Sequence, residues 1–138
     1  VVLVSHRQDT VTRLLVTVLL AALTGYPLGV PASAASSGVA ARYSSEAKMR
    51  RAAAVHGVTV PDGLEVCAAT YHPLGTIITV RSLRRGSTWR CVVGDVPHPK
   101  DRASIIKRGI IVELTPRGAM HICGSVLDPP RSCPVEVR

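Results

Sequence analysis

Asp95 is the acid in this sequence most open to chemistry. Val92, Val93 and Gly94 precede it and Val96 follows, so apolar neighbours would desolvate its carboxyl and raise its pKa. A carboxyl so placed can give a proton to a leaving group or take one from a nucleophile. The competing role for an Asp at a strand end is to cap a turn. Asp101 stands six residues on and offers either a second carboxylate or a surface partner for Arg102 or Lys107. Glu113 lies in an apolar run and reads as a paired structural acid. His72 and His98 can orient a hydroxyl or shuttle a proton, against the plainer role of surface histidines. His98, Asp95 and Asp101 form a loose metal-like trio whose spacing fits no metal motif, so neither a metal nor a cofactor is expected.

The elements that must position these groups are mostly strands. Residues 76–83, TIITVRSL, and 88–93, TWRCVV, are rich in β-branched residues and flank a turn at Arg85, Gly86 and Ser87, which predicts a hairpin. Further strands are expected from Cys67 onward, at 110–114 (IIVEL) and at 134–137 (PVEV), with a short first strand at 42–44. Residues 45–56 read as a helix capped by Ser45 and closed by Gly57. Thr115 caps a second, short helix with Pro116 at its first position, where the missing N–H costs nothing. The polar stretch 94–104 reads as a connection. A Gly followed by an apolar strand occurs at Gly75 and again at Gly109, a faint internal echo. The fold class expected is all-β, the strands closing on themselves into a small barrel. With no Phe in the chain, its core must be built from Val, Ile, Leu and Ala.

His6, Arg7 and Arg13, the apolar run at 14–23, the breakers Gly25 and Pro27 and the Ala32-Ser33-Ala34 pattern have the layout of a secretory signal peptide. The expected organisation is a signal peptide at 1–34, a flexible lead-in at 35–41 and one domain at 42–138. The apolar run is too short to span a bilayer, so no stable membrane anchor is expected after cleavage. Cys67, Cys91, Cys123 and Cys133 then form two disulfides in an exported domain. Three pairings are possible; Cys67–Cys91 with Cys123–Cys133 is favoured because the last two bracket a short Pro-rich loop. Fifteen of the 17 Lys and Arg follow residue 34, against eight of the nine acids. Such a basic exported domain suits an anionic partner, unless the charge serves only solubility.

Three blocks carry a resemblance: Ala68-Ala69-Thr70-Tyr71-His72-Pro73-Leu74-Gly75-Thr76, then Val92-Val93-Gly94-Asp95, then Ile110-Ile111-Val112-Glu113-Leu114-Thr115. In this order they resemble the double-psi β-barrel domain of the rare lipoprotein A family, over roughly residues 41–138. The resemblance implies a six-stranded double-psi barrel acting at the bacterial cell wall. Relatives in that family include lytic transglycosylases, non-hydrolytic expansins and endoglucanases. It also implies a groove in which Asp95 is the general acid/base. Thr70 stands where active members carry His, with His72 two residues along, and Glu113 replaces an Asp. The family's lipid-bearing Cys is missing.

On this resemblance the partner is a cell-wall polysaccharide, peptidoglycan or an anionic wall polymer. The protein is expected to be secreted or periplasmic, wall-associated and monomeric. Thr70, Tyr71, His72, Trp89, His98 and Asp101 are the candidate substrate-binding residues. Trp89 offers a flat face to a sugar ring, or serves as the core's one large side chain. Arg81, Arg84, Arg85 and Arg90 form a basic patch suited to wall polymers, and no nucleic-acid motif accompanies them. The non-catalytic alternatives are an expansin-like binding module or a structural protein on a degenerate barrel.

Overall fold

The computed structural model describes residues 34–124 and 132–138. The expected signal peptide lies outside them apart from Ala34, as does most of the loop between Cys123 and Cys133. Six strands, β1 (Ser36–Arg42), β2 (Glu65–Ala69), β3 (Ile77–Ser82), β4 (Thr88–Asp95), β5 (Ile110–Leu114) and β6 (Ser132–Val137), close into a barrel in the order β1-β5-β2-β4-β3-β6. Three short helices accompany them: α1 (Glu46–Val55), α2 (Pro99–Lys107) and α3 (Pro116–Cys123). The barrel is mixed. The β1–β5 and β2–β4 pairs are parallel, and the remaining four are antiparallel.

This ring has a hidden symmetry. Exchanging β1, β2 and β3 for β4, β5 and β6 reproduces every neighbour relation and its sense. Each half is a strand, a helix and two more strands, with α3 added in the second half. Symmetry therefore matches β2 with β5 and β3 with β6, not the two Gly-led runs that echo in sequence. That echo is turn chemistry: Gly75 (φ 81°) and Gly109 (φ 69°) both take the left-handed conformation that glycine tolerates just before a strand.

Two expectations are corrected. The segment 35–41, read as a flexible lead-in, is mostly β1, and the strand expected at 42–44 ends at Arg42. Ser, Gly and Ala have little strand preference, so pairing decides the matter: β1 is held on one side by β5 and on the other by β6. A Cβ at Gly38 would lie 2.6 Å from Ile111 Cγ2 and 2.9 Å from the Gly109 carbonyl, so the bare backbone is what fits there. The second correction is α2, where the sequence suggested a connection. His98 caps it through Nδ1, which accepts from the Lys100 N–H at 3.3 Å, Pro99 occupies its first turn and only Ile105 is buried.

The barrel interior is filled by small and branched side chains, among them Cys67, Val80, Val93, Val112, Leu114 and Val135. A second cluster forms outside, where Met49 and Ala53 of α1 pack on Val66 and Val92. Gly94 lets α1 lie this close: a Cβ there would stand 2.5 Å from Val66 Cγ1 and 2.6 Å from Ala53 Cβ. Ser45 caps α1, accepting from the Lys48 N–H at 3.1 Å. Cys67–Cys91 ties β2 to β4 inside the barrel, and Cys123–Cys133 ties the end of α3 to β6. These are the favoured pairings, and they fit an oxidising compartment.

Candidate active site

Asp95 ends β4, and residues from the ends of two other elements, β1 and α1, converge on it. Tyr43 directly follows β1 and is fixed there by its N–H, which donates to the Leu114 carbonyl at 2.8 Å. Its hydroxyl donates to Asp95 Oδ2 at 3.0 Å. The Val96 N–H donates to Oδ1 at 2.9 Å. His56, the C-cap of α1, brings Nε2 within 3.3 Å of the same oxygen. Opposite an ionised carboxylate that nitrogen must be the donor, which leaves Nδ1 available. The position of His56 depends on how α1 seats against Gly94, one residue before Asp95.

Strand register adds a second carboxyl. Asp95 is level with Ala68 on β2, and Ala68 is level with Glu113 on β5. The Ala68 methyl is all that the intervening strand places between the two acids. Both acids line a cavity of about 380 Å³, with Tyr43, His98, Asp101 and Arg108 also in its wall. Burial pushes the Glu113 pKa above the ordinary carboxylate range; Arg108 opposes the shift and the charge of Asp95 adds to it. Glu113, its pKa raised by burial, thus shares the cavity with Asp95, whose carboxyl accepts from the Tyr43 hydroxyl and the Val96 N–H.

Tyr43 records the same field. Burial, then its hydrogen bond to Asp95, then the charges of Asp95 and Glu113 push its pKa up to about 12. Spectrophotometric titration should show one tyrosine ionising near pH 12, and Asp95→Asn should bring it down towards the ordinary value of about 10. Stability follows with a definite sign. Between about pH 10 and about 12 the unfolded chain has lost this proton while the folded one keeps it, so stability falls as pH rises through that window.

The structure brings Asp95, His98 and Asp101 into one cavity and leaves the other sequence candidates elsewhere. Asp101, expected in a loop, sits in the first turn of α2. Thr70 is buried at 4% exposure, and its hydroxyl donates to the Ile110 carbonyl at 2.8 Å, so it offers a ligand nothing. Tyr71 is exposed, and the enclosed Nε2 of His72 has no hydrogen-bond partner among the described residues. Both follow β2 and so lie at the Asp95 end of the barrel, since β2 and β4 are parallel. Trp89 lines a different cavity. Arg81, Arg84, Arg85 and Arg90 are all exposed, and Arg81 lies 3.8 Å from Glu136 on β6.

Sequence reasoning missed Tyr43 and His56 and ranked Glu113 too low. Its place as the one charged residue of the run Ile110–Leu114, between Val112 and Leu114, is the signal that could have marked it as a desolvated acid. No protein-family model matches the chain, and no curated protein matches it.

Proposed function

We propose that this protein is an exported bacterial cell-wall protein of the rare lipoprotein A type that binds peptidoglycan glycan and cleaves its strands by lytic transglycosylation. One observation carries the reading: Asp95, at the end of a barrel strand, shares an open cavity with a second carboxyl, Glu113, whose pKa is raised by burial. The interlocked parallel pairs of the closed barrel, the two disulfides and the basic charge support the double-psi resemblance and the exported setting.

In such a reaction a carboxyl gives its proton to the glycosidic oxygen as the C–O bond breaks. A hydroxyl of the same sugar attacks the anomeric carbon and releases its own proton. No water is consumed, and one acid/base suffices for the cycle. Asp95 takes the hydroxyl proton. It passes a proton to the leaving oxygen either directly or by way of Glu113 in the same cavity. Tyr43 and the Val96 N–H hold Asp95 in place, and His56 balances its charge when protonated.

One observation favours the non-catalytic, expansin-like reading. Thr70, at the position where active family members carry His, is buried and its hydroxyl is already bonded. Incubation of the purified protein with peptidoglycan sacculi separates the two. The proposal expects salt-sensitive sedimentation with the sacculi and soluble fragments with anhydro ends. Binding without fragments establishes the binding module, and neither binding nor fragments removes both.

A further inference from the structure

A second cavity lies at the other end of β4, about 17 Å from Asp95 at about 3.4 Å per strand residue. It encloses about 710 Å³, within the usual range for small-ligand sites of about 300–1,000 Å³. Its wall combines Leu64, Trp89 and Met120 with Glu65, Arg90 and Arg117. The Trp89 ring meets the His121 ring at a centroid separation of 5.2 Å, and the Arg117 guanidinium lies 6.0 Å from its centroid. His121 is fixed by Nε2, 3.1 Å from the Thr88 carbonyl. Met120, 49% exposed, extends the apolar surface.

Two features specify what would fit. The first is charge. Arg50 lies between Glu46 and Glu65, and Arg117 pairs with Glu65 from the other side, so two acids and two bases close a neutral chain. Arg90 is exposed and forms no ion pair among the described residues. The cavity therefore carries one uncompensated positive charge. The second is unmet hydrogen bonding. Glu65 Oε2 and Trp89 Nε1 are buried without a hydrogen-bond partner among the described residues; Arg50 stands 3.7 Å from the first, and the second lies against Gly118 of α3. Unmet buried groups of this kind are costly in a folded protein and commonly mark a ligand or water position. A hydroxyl can serve Glu65, and Arg117, 67% exposed on its side chain, can move aside to admit it.

We propose that this cavity is a second ligand site, separate from the Asp95 cavity, for a saccharide unit bearing a single negative charge. The apolar face of the ring rests on Trp89 and Met120, a hydroxyl meets Glu65, and the anionic group of the sugar pairs with Arg90. Its ligand class rests on the glycan reading above.

Trp89 is the one Trp of the chain, so its fluorescence reports the cavity directly. The intact protein is titrated with N-acetylmuramic acid, with N-acetylglucosamine as the neutral ring, and with poly(glycerol phosphate). A saturable change is expected with N-acetylmuramic acid; a change with poly(glycerol phosphate) alone, which has no sugar ring and many charges, overturns the saccharide assignment. The neutral sugar is expected to bind at least tenfold more weakly. Arg90→Gln, at an exposed site outside the core, should weaken the anionic ligand about tenfold, and Asp95→Asn should leave the titration unchanged. No saturable change with either anionic probe, equal response to the neutral sugar, or indifference to Arg90→Gln each overturns the site. If the titration succeeds while sacculi are neither bound nor cut, the proposed function fails and this site stands. The converse result removes the site alone.

Discussion

Asp95→Asn should reduce the release of anhydro-ended fragments from sacculi by about 10²–10⁴-fold, the usual cost of losing a general acid/base. The amide keeps the shape of the side chain, and its oxygen still accepts from the Tyr43 hydroxyl or the Val96 N–H. The carboxyl to which the proposed reaction assigns the proton exchange is gone. Binding to sacculi and the thermal midpoint should change little, because the amide oxygen keeps one of these bonds and the NH2 can donate to the Tyr43 hydroxyl oxygen. His56→Gln tests the neighbouring imidazole: it should lower the rate less than Asp95→Asn, because the Tyr43 hydroxyl and the Val96 N–H still hold the carboxylate. Fragment release that survives Asp95→Asn would remove this carboxylate from the mechanism.

Replacing both Cys67 and Cys91 by Ala should produce the largest loss of stability, about 2–5 kcal/mol. The bridge spans 24 residues and joins strands that are already parallel neighbours, so it restrains the unfolded chain as well as filling the interior. Both cysteines are fully buried, and the two alanines leave space where the sulfur atoms packed. For a domain of this size each kcal/mol moves the thermal midpoint by about 4–8 °C. A double variant that melts within a few degrees of the parent in a calorimeter would show that the barrel closes without this staple.

The sequence made the strands at 76–83, 88–93 and 110–114 legible because each is a run of β-branched residues bounded by turn chemistry. The helix after Ser45 was legible from its cap and its closing glycine. By contrast, β1 has no such signature: Ser36–Arg42 becomes a strand through the partners that bracket it. α2 carries a cap, a Pro and an early acid, but it shows no apolar stripe because it buries little besides Ile105. The site was half legible. Asp95 stood out by its neighbours, yet Tyr43 is 52 residues away and His56 is 39 away, and no local pattern announces contacts of that span. Thr70 was misleading for a related reason. Its position in a motif suggested a ligand contact, while the bond that fixes it reaches a carbonyl 40 residues on.

The ring order has a consequence for how the chain can fold as it is made. β6 is the last strand, and it lies between β1 and β3, two of the first three. Until Ser132–Val137 has emerged, every intermediate has two open strand edges and the barrel is an unclosed sheet. Ser36 finds its partner Val137 across nearly the whole domain, so the barrel closes only once β6 is available and does so at the slow rate of non-local pairing. A chain cut short before β6 would keep its hydrophobic interior accessible and expose two edges ready to pair with other chains. The Cys123–Cys133 bridge, closing over ten residues next to that final strand, holds the late arrival in place once it docks.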